Sequence, residues 1–281
     1  MRGVKGHGTG NDFVLIPDLD GEIELDPALV RALCDRHTGL GADGVLRIVR
    51  SENTPEAADV AGEASYFMDY RNADGSVAEM CGNGVRVFMR YLQQVSLVGE
   101  SAAVATRGGI KRVQAHPNGG FTVEMGQPRI LADRPVVTAA PLSPIQGSAL
   151  AMPNPHVVVW LKSTDELATV ELWRPPVVEP PLPHGQNVEF AVAVGDHHVA
   201  MRVHERGVGE TQSCGTGICA VAVAAAIESG DESDGSHWRI DIPGGTCTVQ
   251  WREDGEVLLT GPAVLVAEIE LDDDWLAAAR G

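Results

Sequence analysis

The stretch Glu79-Met80-Cys81-Gly82-Asn83-Gly84 has a counterpart in Gln212-Ser213-Cys214-Gly215-Thr216-Gly217. Each Cys-Gly-x-Gly opens an apolar run that reads as a helix, Val85 to Leu92 in the first and Ile218 to Ile227 in the second. Each thiol is therefore expected at a helix N-terminus, where unpaired backbone N–H groups and the positive end of the dipole favour a thiolate or another anion. One copy alone reads equally well as a tight turn beside a buried cysteine. Two copies read as a pair, able to take a proton from one side of a carbon and return one from the other.

The flanking residues extend the repeat. Asn72 stands nine positions before Cys81, and Glu205 stands nine before Cys214. Gly10-Asn11-Asp12 precedes one strand-like run and Pro153-Asn154-Pro155 precedes another. The chain therefore reads as an internal duplication, two halves with one thiol each and a cleft between them. The expected halves are 1–130, carrying Cys81 and completed by 265–281, and 131–264, carrying Cys214, with Pro128 to Ala149 as the connection. Asp26-Pro27 starts a helix with the apolar stripe Leu29, Val30, Leu33 and Cys34. Ser51 to Ala64 is acidic and poorly patterned and reads as an exposed loop.

Composition narrows the function. The 281 residues include 21 Lys and Arg against 39 Asp and Glu, a formal charge of −18. A chain this acidic, without a basic stripe, is a poor partner for nucleic acid or anionic membrane. Its longest apolar run, Ile218 to Ile227, is too short to span a bilayer. Met1 to Phe13 has no apolar leader, and five cysteines make an odd number without disulfide-scaffold spacing. The expectation is a cytoplasmic enzyme with reduced thiols, in which Cys34, Cys219 and Cys247 belong to the core.

Loss of an α-hydrogen from an amino acid needs stabilisation of the carbanion. Pyridoxal phosphate on a lysine is one route, but Lys5, Lys111 and Lys162 lie in no loop built for a phosphate. The other route buries the carboxylate against preorganised N–H donors in a dry site. Two Cys-Gly-x-Gly helix starts supply such donors, so no cofactor is expected. No metal is expected either, because Cys214 and Cys219 have neither knuckle nor finger spacing. Asn11, Asn72, Asn83, Asn154 and Asn187 offer amide groups, while Glu205 and Arg206 can pair an ammonium and a carboxylate. Each of these asparagines taken singly is also a common turn residue. His156 fits either a strand cap or a supporting role beside the cysteines.

Together these residues resemble the diaminopimelate epimerase family. The matching segments are Gly8 to Phe13, Gly39 to Gly44, Tyr70 to Ser76, Glu79 to Arg86, Asn154-Pro155-His156, Asn187 to Phe190, and Glu205 to Thr211 leading into Ser213 to Gly217. The resemblance implies an α+β fold of two pseudo-symmetric halves, each an antiparallel barrel-like sheet wrapped around a central helix. It implies interconversion of LL- and meso-diaminopimelate without pyridoxal phosphate or metal, in a homodimer that closes over its small-molecule substrate. Cys81 and Cys214 would be the acid–base pair. Backbone N–H groups of Gly82, Asn83, Gly215 and Thr216 would hold the reacting carboxylate. Asn11, Asn72, Asn154, Asn187, Glu205 and Arg206 would grip the rest. A proline racemase-like enzyme is the nearest alternative, disfavoured because that family usually has His where Asn83 stands. A phenazine-type isomerase of similar fold lacks the cysteine pair, and a reversible Cys81–Cys214 cross-link is a reading from another class.

Overall fold

The structure, a computed structural model, describes residues 1–230 and 237–280. Two compact units emerge: Met1–Val123 with the described residues from Pro262 onward, and Glu124–Gly261. Of the 265–281 segment expected to complete the first half, Gly281 lies outside the described residues.

The first unit starts with β1 (Arg2–Gly8), β2 (Asn11–Pro17) and α1 (Pro27–Cys34). Asp26 caps α1, its Oδ1 accepting from the N–H groups of Ala28 at 2.8 Å and Leu29 at 2.9 Å, and Pro27 occupies the first turn without wasting a donor. The predicted stripe Leu29, Val30, Leu33 and Cys34 is the buried face. Then come β3 (Gly44–Arg50), β4 (Tyr66–Asn72), α2 (Gly82–Gln94), β5 (Ser101–Thr106), β6 (Gly109–Ala115) and β7 (Gly120–Gly126).

The second unit repeats the plan. It contains β8 (Arg129–Ile130), β9 (Val136–Thr138), β10 (Ile145–Gln146), β11 (Ser148–Ala151), β12 (Pro155–Trp160), α3 (Thr164–Thr169) and β13 (Val177–Glu179). It continues through β14 (Asn187–Gly195), β15 (His198–Glu205), β16 (Gly209–Thr211), α4 (Gly215–Ser229), β17 (His237–Ile242), β18 (Gly245–Trp251) and β19 (Val257–Pro262). The chain then returns to the first unit with β20 (Val264–Glu270), antiparallel to β1, and α5 (Asp273–Ala279).

The pairings show the duplication. β1 is antiparallel to β2, β2 parallel to β3, β3 antiparallel to β4, β4 parallel to β5, and β5, β6 and β7 antiparallel in turn. In the second unit the same order of directions runs through β11, β12, β14, β15, β17 and β18 to β19. Each sheet is thus mixed, with two parallel steps among antiparallel ones. The helix inserted before β5, α2, packs on β1, β2, β3, β4, β6 and β20; its counterpart before β17, α4, packs on β11, β12, β14, β15, β17 and β18.

Burial follows sequence. α4 is apolar all round, with Gly217 to Ala226 buried without interruption, and ends at Gly230 in the left-handed conformation, φ 70°. α2 has an exposed face, so only residues through Met89 and then Leu92 are buried.

Three segments carry more structure than the sequence reading expects. Met1 to Phe13, read only as lacking an apolar leader, contains β1. Its glycines are what let the strand lie on α2: a Cβ at Gly6 would stand 2.8 Å from Val87 Cγ1 and 2.9 Å from the Val264 carbonyl. Ser51 to Ala64 is the largely exposed hairpin loop between β3 and β4, as read, but it holds two short 3₁₀ turns and buries Ala57 and Ala64 against Phe67 and Ala105. Small side chains suffice there because the neighbour is a phenylalanine. Pro128 to Ala149, read as a connection, carries short strands whose Val137 and Ala149 enter the second unit's core.

Candidate active site

The first cysteine sits where its sequence places it. Cys81 is the N-cap of α2 with extended backbone, φ −140° and ψ 119°, and its Sγ accepts from the Gly84 N–H at 3.5 Å. The site usually filled by Ser or Asp is thus filled by a thiol. Gly82 and Asn83 are buried in the first turn, and Cys81 itself is half-buried. Asn11 opens β2, and its Oδ1 lies 3.4 Å from Cys81 Sγ and 3.3 Å from Asn83 Nδ2. Asn72, at the end of β4, donates its amide to Ser76 Oγ at 3.0 Å and closes the turn to that residue.

Below the helix start lies Arg86, fully buried, donating to Asn83 Oδ1 at 2.8 Å, Thr9 Oγ1 at 3.3 Å and the Pro262 carbonyl at 3.3 Å. On the other side, Asn11 Nδ2 donates to Asp43 Oδ2 at 2.8 Å. Lys5 and Arg36 both bond Asp12, and Arg36 also bonds Asp43. Burial alone would raise the Asp12 pKa, but the hydrogen bonds from Arg36 and Lys5 outweigh it and hold the carboxyl at about 2.

In the second unit, Cys214 is the N-cap of α4 and buried, with Thr216 Oγ1 3.5 Å and Asn187 Nδ2 3.9 Å from its sulfur. Asn187 begins β14, and its Oδ1 accepts from the Arg206 N–H at 2.9 Å, so one amide joins two predicted residues. The Arg206 guanidinium donates to the His184 carbonyl. Glu205 ends β15, takes the Thr211 hydroxyl at 2.5 Å and hydrogen-bonds Cys214. Burial raises the pKa of Glu205, and burial, followed by the charges of Glu205 and Glu189, raises that of Cys214 well above a free thiol. Both groups thereby hold protons at neutrality more readily than in water.

His156 and Asn154 are joined: His156 Nε2 lies 3.1 Å from Asn154 Oδ1, and its Nδ1 lies 2.6 Å from Glu189 Oε1. Glu189 and His156 are both fully buried, and Glu189 Oε2 has no hydrogen-bond partner among the described residues. Three residues of this surrounding were missed from sequence: Glu189, Asp43 and Arg86. Glu189 and Arg86 carry a visible signal, a charge interrupting the apolar runs Val188 to Val192 and Val85 to Met89. Asp43 carries none, since its partner Asn11 is remote in sequence.

Among the described residues no cluster of three or more His, Cys, Asp or Glu side chains is placed to hold a metal ion. No helix among them is long and apolar enough to cross a membrane. The three remaining cysteines are buried, and burial pushes the Cys34 thiol up to about 12.

The family model described as diaminopimelate epimerase matches residues 3–131 and 148–266, both cysteine motifs included. The chain belongs to the diaminopimelate epimerase family. A diaminopimelate epimerase of Streptomyces coelicolor is 52% identical over 281 residues, covering 97% of this chain and 96% of that protein. Those of Thermobifida fusca and Mycolicibacterium smegmatis are 50% and 44% identical, covering 95% and 99% of this chain and 97% and 99% of their own. Solved structures of similar fold lie further off. A hydroxyproline epimerase from Agrobacterium vitis superposes with a TM-score of 0.67 at 15% identity, covering 100% of this chain and 98% of its own. A PhzF-family phenazine biosynthesis protein from Bacillus anthracis gives 0.65 at 17%, covering 97% and 99%. At such identities these two speak for the fold alone. The diaminopimelate epimerase relatives match at 44% to 52% identity along nearly the whole chain.

Proposed function

We propose that this protein epimerises LL- and meso-2,6-diaminopimelate without pyridoxal phosphate, using Cys81 and Cys214 as the proton-transferring pair. The observation that carries the reading is the repeated N-cap: a cysteine at the same topological point of each unit, starting the helix that its own sheet surrounds. In this mechanism one sulfur, as thiolate, takes the α-hydrogen from one face of the carbon. The other, as thiol, delivers a proton to the opposite face, and the roles exchange when the reaction reverses. No redox equivalent is consumed.

The α-carboxylate would lie against the N–H groups of Gly82 and Asn83 from one helix start and Gly215 and Thr216 from the other. The dipoles there stabilise the charge that builds as the α-proton leaves. Asn11, Asn72, Asn154, Asn187, Glu205 and Arg206 would hold the remaining ammonium and carboxylate groups. Cys214, kept protonated in the empty site by burial and by the charges of Glu205 and Glu189, would become the thiolate once the substrate ammonium is bound nearby. His156, seated by Glu189, orients Asn154. By family likeness the enzyme works as a homodimer in the cytoplasm, supplying lysine and peptidoglycan synthesis.

The test is turnover in deuterium oxide. LL-diaminopimelate should convert to the meso form, gaining one solvent deuterium at the inverted carbon, with no cofactor added, while L-proline stays unchanged. Racemisation of proline instead would transfer the protein to the racemase reading. Retention of the original hydrogen in the first turnovers would replace two bases by one.

A further inference from the structure

The proposed chemistry needs a sulfur that enters the reaction protonated, and the first unit contains a device that holds Cys81 in that form. Four side chains form a polarised line. Arg86 donates to Asn83 Oδ1 at 2.8 Å, Asn83 Nδ2 to Asn11 Oδ1 at 3.3 Å, and Asn11 Nδ2 to Asp43 Oδ2 at 2.8 Å. A guanidinium can only donate and a carboxylate can only accept, so the two amides between them have a single consistent orientation. Turning the Asn11 amide over would set its oxygen against the Asp43 carboxylate and its NH₂ against that of Asn83. The oxygen of Asn11 therefore faces Cys81 Sγ at 3.4 Å.

An amide oxygen attracts S–H and repels S⁻. We infer that Asp43 and Arg86 are positioning residues that, through Asn11 and Asn83, hold Cys81 in its thiol form in the empty enzyme. This opposes the helix terminus and the Gly84 N–H, which favour the thiolate. The inference rests on the reading of Cys81 as an acid–base residue, and Asp43 touches no reacting atom in it.

The other charged groups around this line are Asp12 and Lys5, on β2 and β1, and Arg36 after α1, all bonded to one another or to Asp43. His7 accepts the Gly10 N–H beside them at 3.3 Å, and on the helix side the charged neighbour is Arg86. Asp43 could thus act on Cys81 by its charge alone, and the experiment has to separate charge from orientation.

Cys81 is the one cysteine of the five that is not buried, so its ionisation can be followed by iodoacetamide alkylation against pH, read on its own peptide by mass spectrometry. Asp43→Ala removes both charge and acceptor. Asp43→Asn removes the charge but leaves an oxygen for Asn11 Nδ2. Orientation predicts that Asp43→Ala raises the alkylation rate at pH 7 about threefold to tenfold, a downward shift of up to about one pH unit. It predicts that Asp43→Asn stays within twofold of the parent protein, and that Asp43→Ala changes nothing in an Asn11→Ala background. Equal shifts in Asp43→Ala and Asp43→Asn, or a shift that survives Asn11→Ala, would overturn the inference in favour of plain charge. Should Asp43→Ala not fold, Asn11→Ala alone decides: faster alkylation supports the thiol-holding oxygen, and slower alkylation overturns it. Turnover of diaminopimelate plays no part in these readings, so failure of the functional proposal would show separately.

Discussion

Gly217 and Glu189 are fitted to each other: a Cβ on Gly217 would stand 2.6 Å from Glu189 Oε1 and 3.3 Å from its Cδ. Real Cβ atoms do not approach so closely, and the carboxylate is not free to retreat. It is fully buried and held by His156 Nδ1 at 2.6 Å. The last glycine of the second Cys-Gly-x-Gly is thus required by what lies behind the helix start. Gly217→Ala should lower stability by roughly 1–3 kcal/mol, the usual range for overpacking, measurable by urea unfolding. It should also displace the Cys214 turn and depress turnover. An unchanged unfolding midpoint would mean that Glu189 can move.

The cysteines themselves give the second expectation. Cys81→Ser and Cys214→Ser should each lose epimerisation by orders of magnitude while circular dichroism and unfolding stay close to the parent, since serine is a good N-cap. Parent-like turnover in either variant discards the two-sulfur mechanism.

Glu189 supplies a third. Glu189→Ala leaves the buried His156 Nδ1 without its partner and should cost about 1–3 kcal/mol, the range for an orphaned buried polar group. Glu189→Gln keeps the shape and one acceptor oxygen, so it should fold with a smaller loss in the urea midpoint while kcat falls through the altered bond to His156. An unchanged kcat in Glu189→Gln would leave Glu189 a packing residue only.

Acid sensitivity comes from Asp12, whose folded pKa of about 2 lies below its ordinary value of 3.8. A depressed carboxylate stabilises the fold above its unfolded pKa, and that contribution disappears as pH falls through the folded one. Stability should therefore decline between about pH 4 and pH 2. The Asp12 share is at most ~2 kcal/mol by linkage, less after screening of the half-exposed Arg36. Asp12→Asn should flatten this part of the curve, as followed by urea midpoints. An equally steep decline in the variant would assign it to other carboxylates, such as buried Asp69, which Arg71 and Arg107 hold low against its burial.

What the sequence disclosed, and what it hid, divides by the reach of the interaction. The Cys81 and Cys214 caps, the stripe of α1 and the all-apolar α4 depend on neighbours a few positions away, so spacing alone reveals them. Asn11 with Asp43, and His156 with Glu189, depend on adjacent strands over thirty residues distant in sequence. Strand β1 was hidden for another reason. Its glycines weaken any local preference for extended structure, yet Gly6 is what lets the backbone approach Val87. Asn72 shows the limit of composition: a lone asparagine in a turn fits both substrate contact and the bond to Ser76 that it makes.

The late return of the chain has a consequence for biosynthesis. β1 is flanked by β2 on one side and by β20 on the other, and the Leu271 N–H reaches the Met1 carbonyl at 2.8 Å. On the ribosome, therefore, β1 must wait with an open edge until residues 9–263 and β20 itself have been translated. The second unit has all its strands before β20 is made. A nascent protein arrested before residue 264 would expose that edge, and a chaperone or a sister polypeptide would find it there.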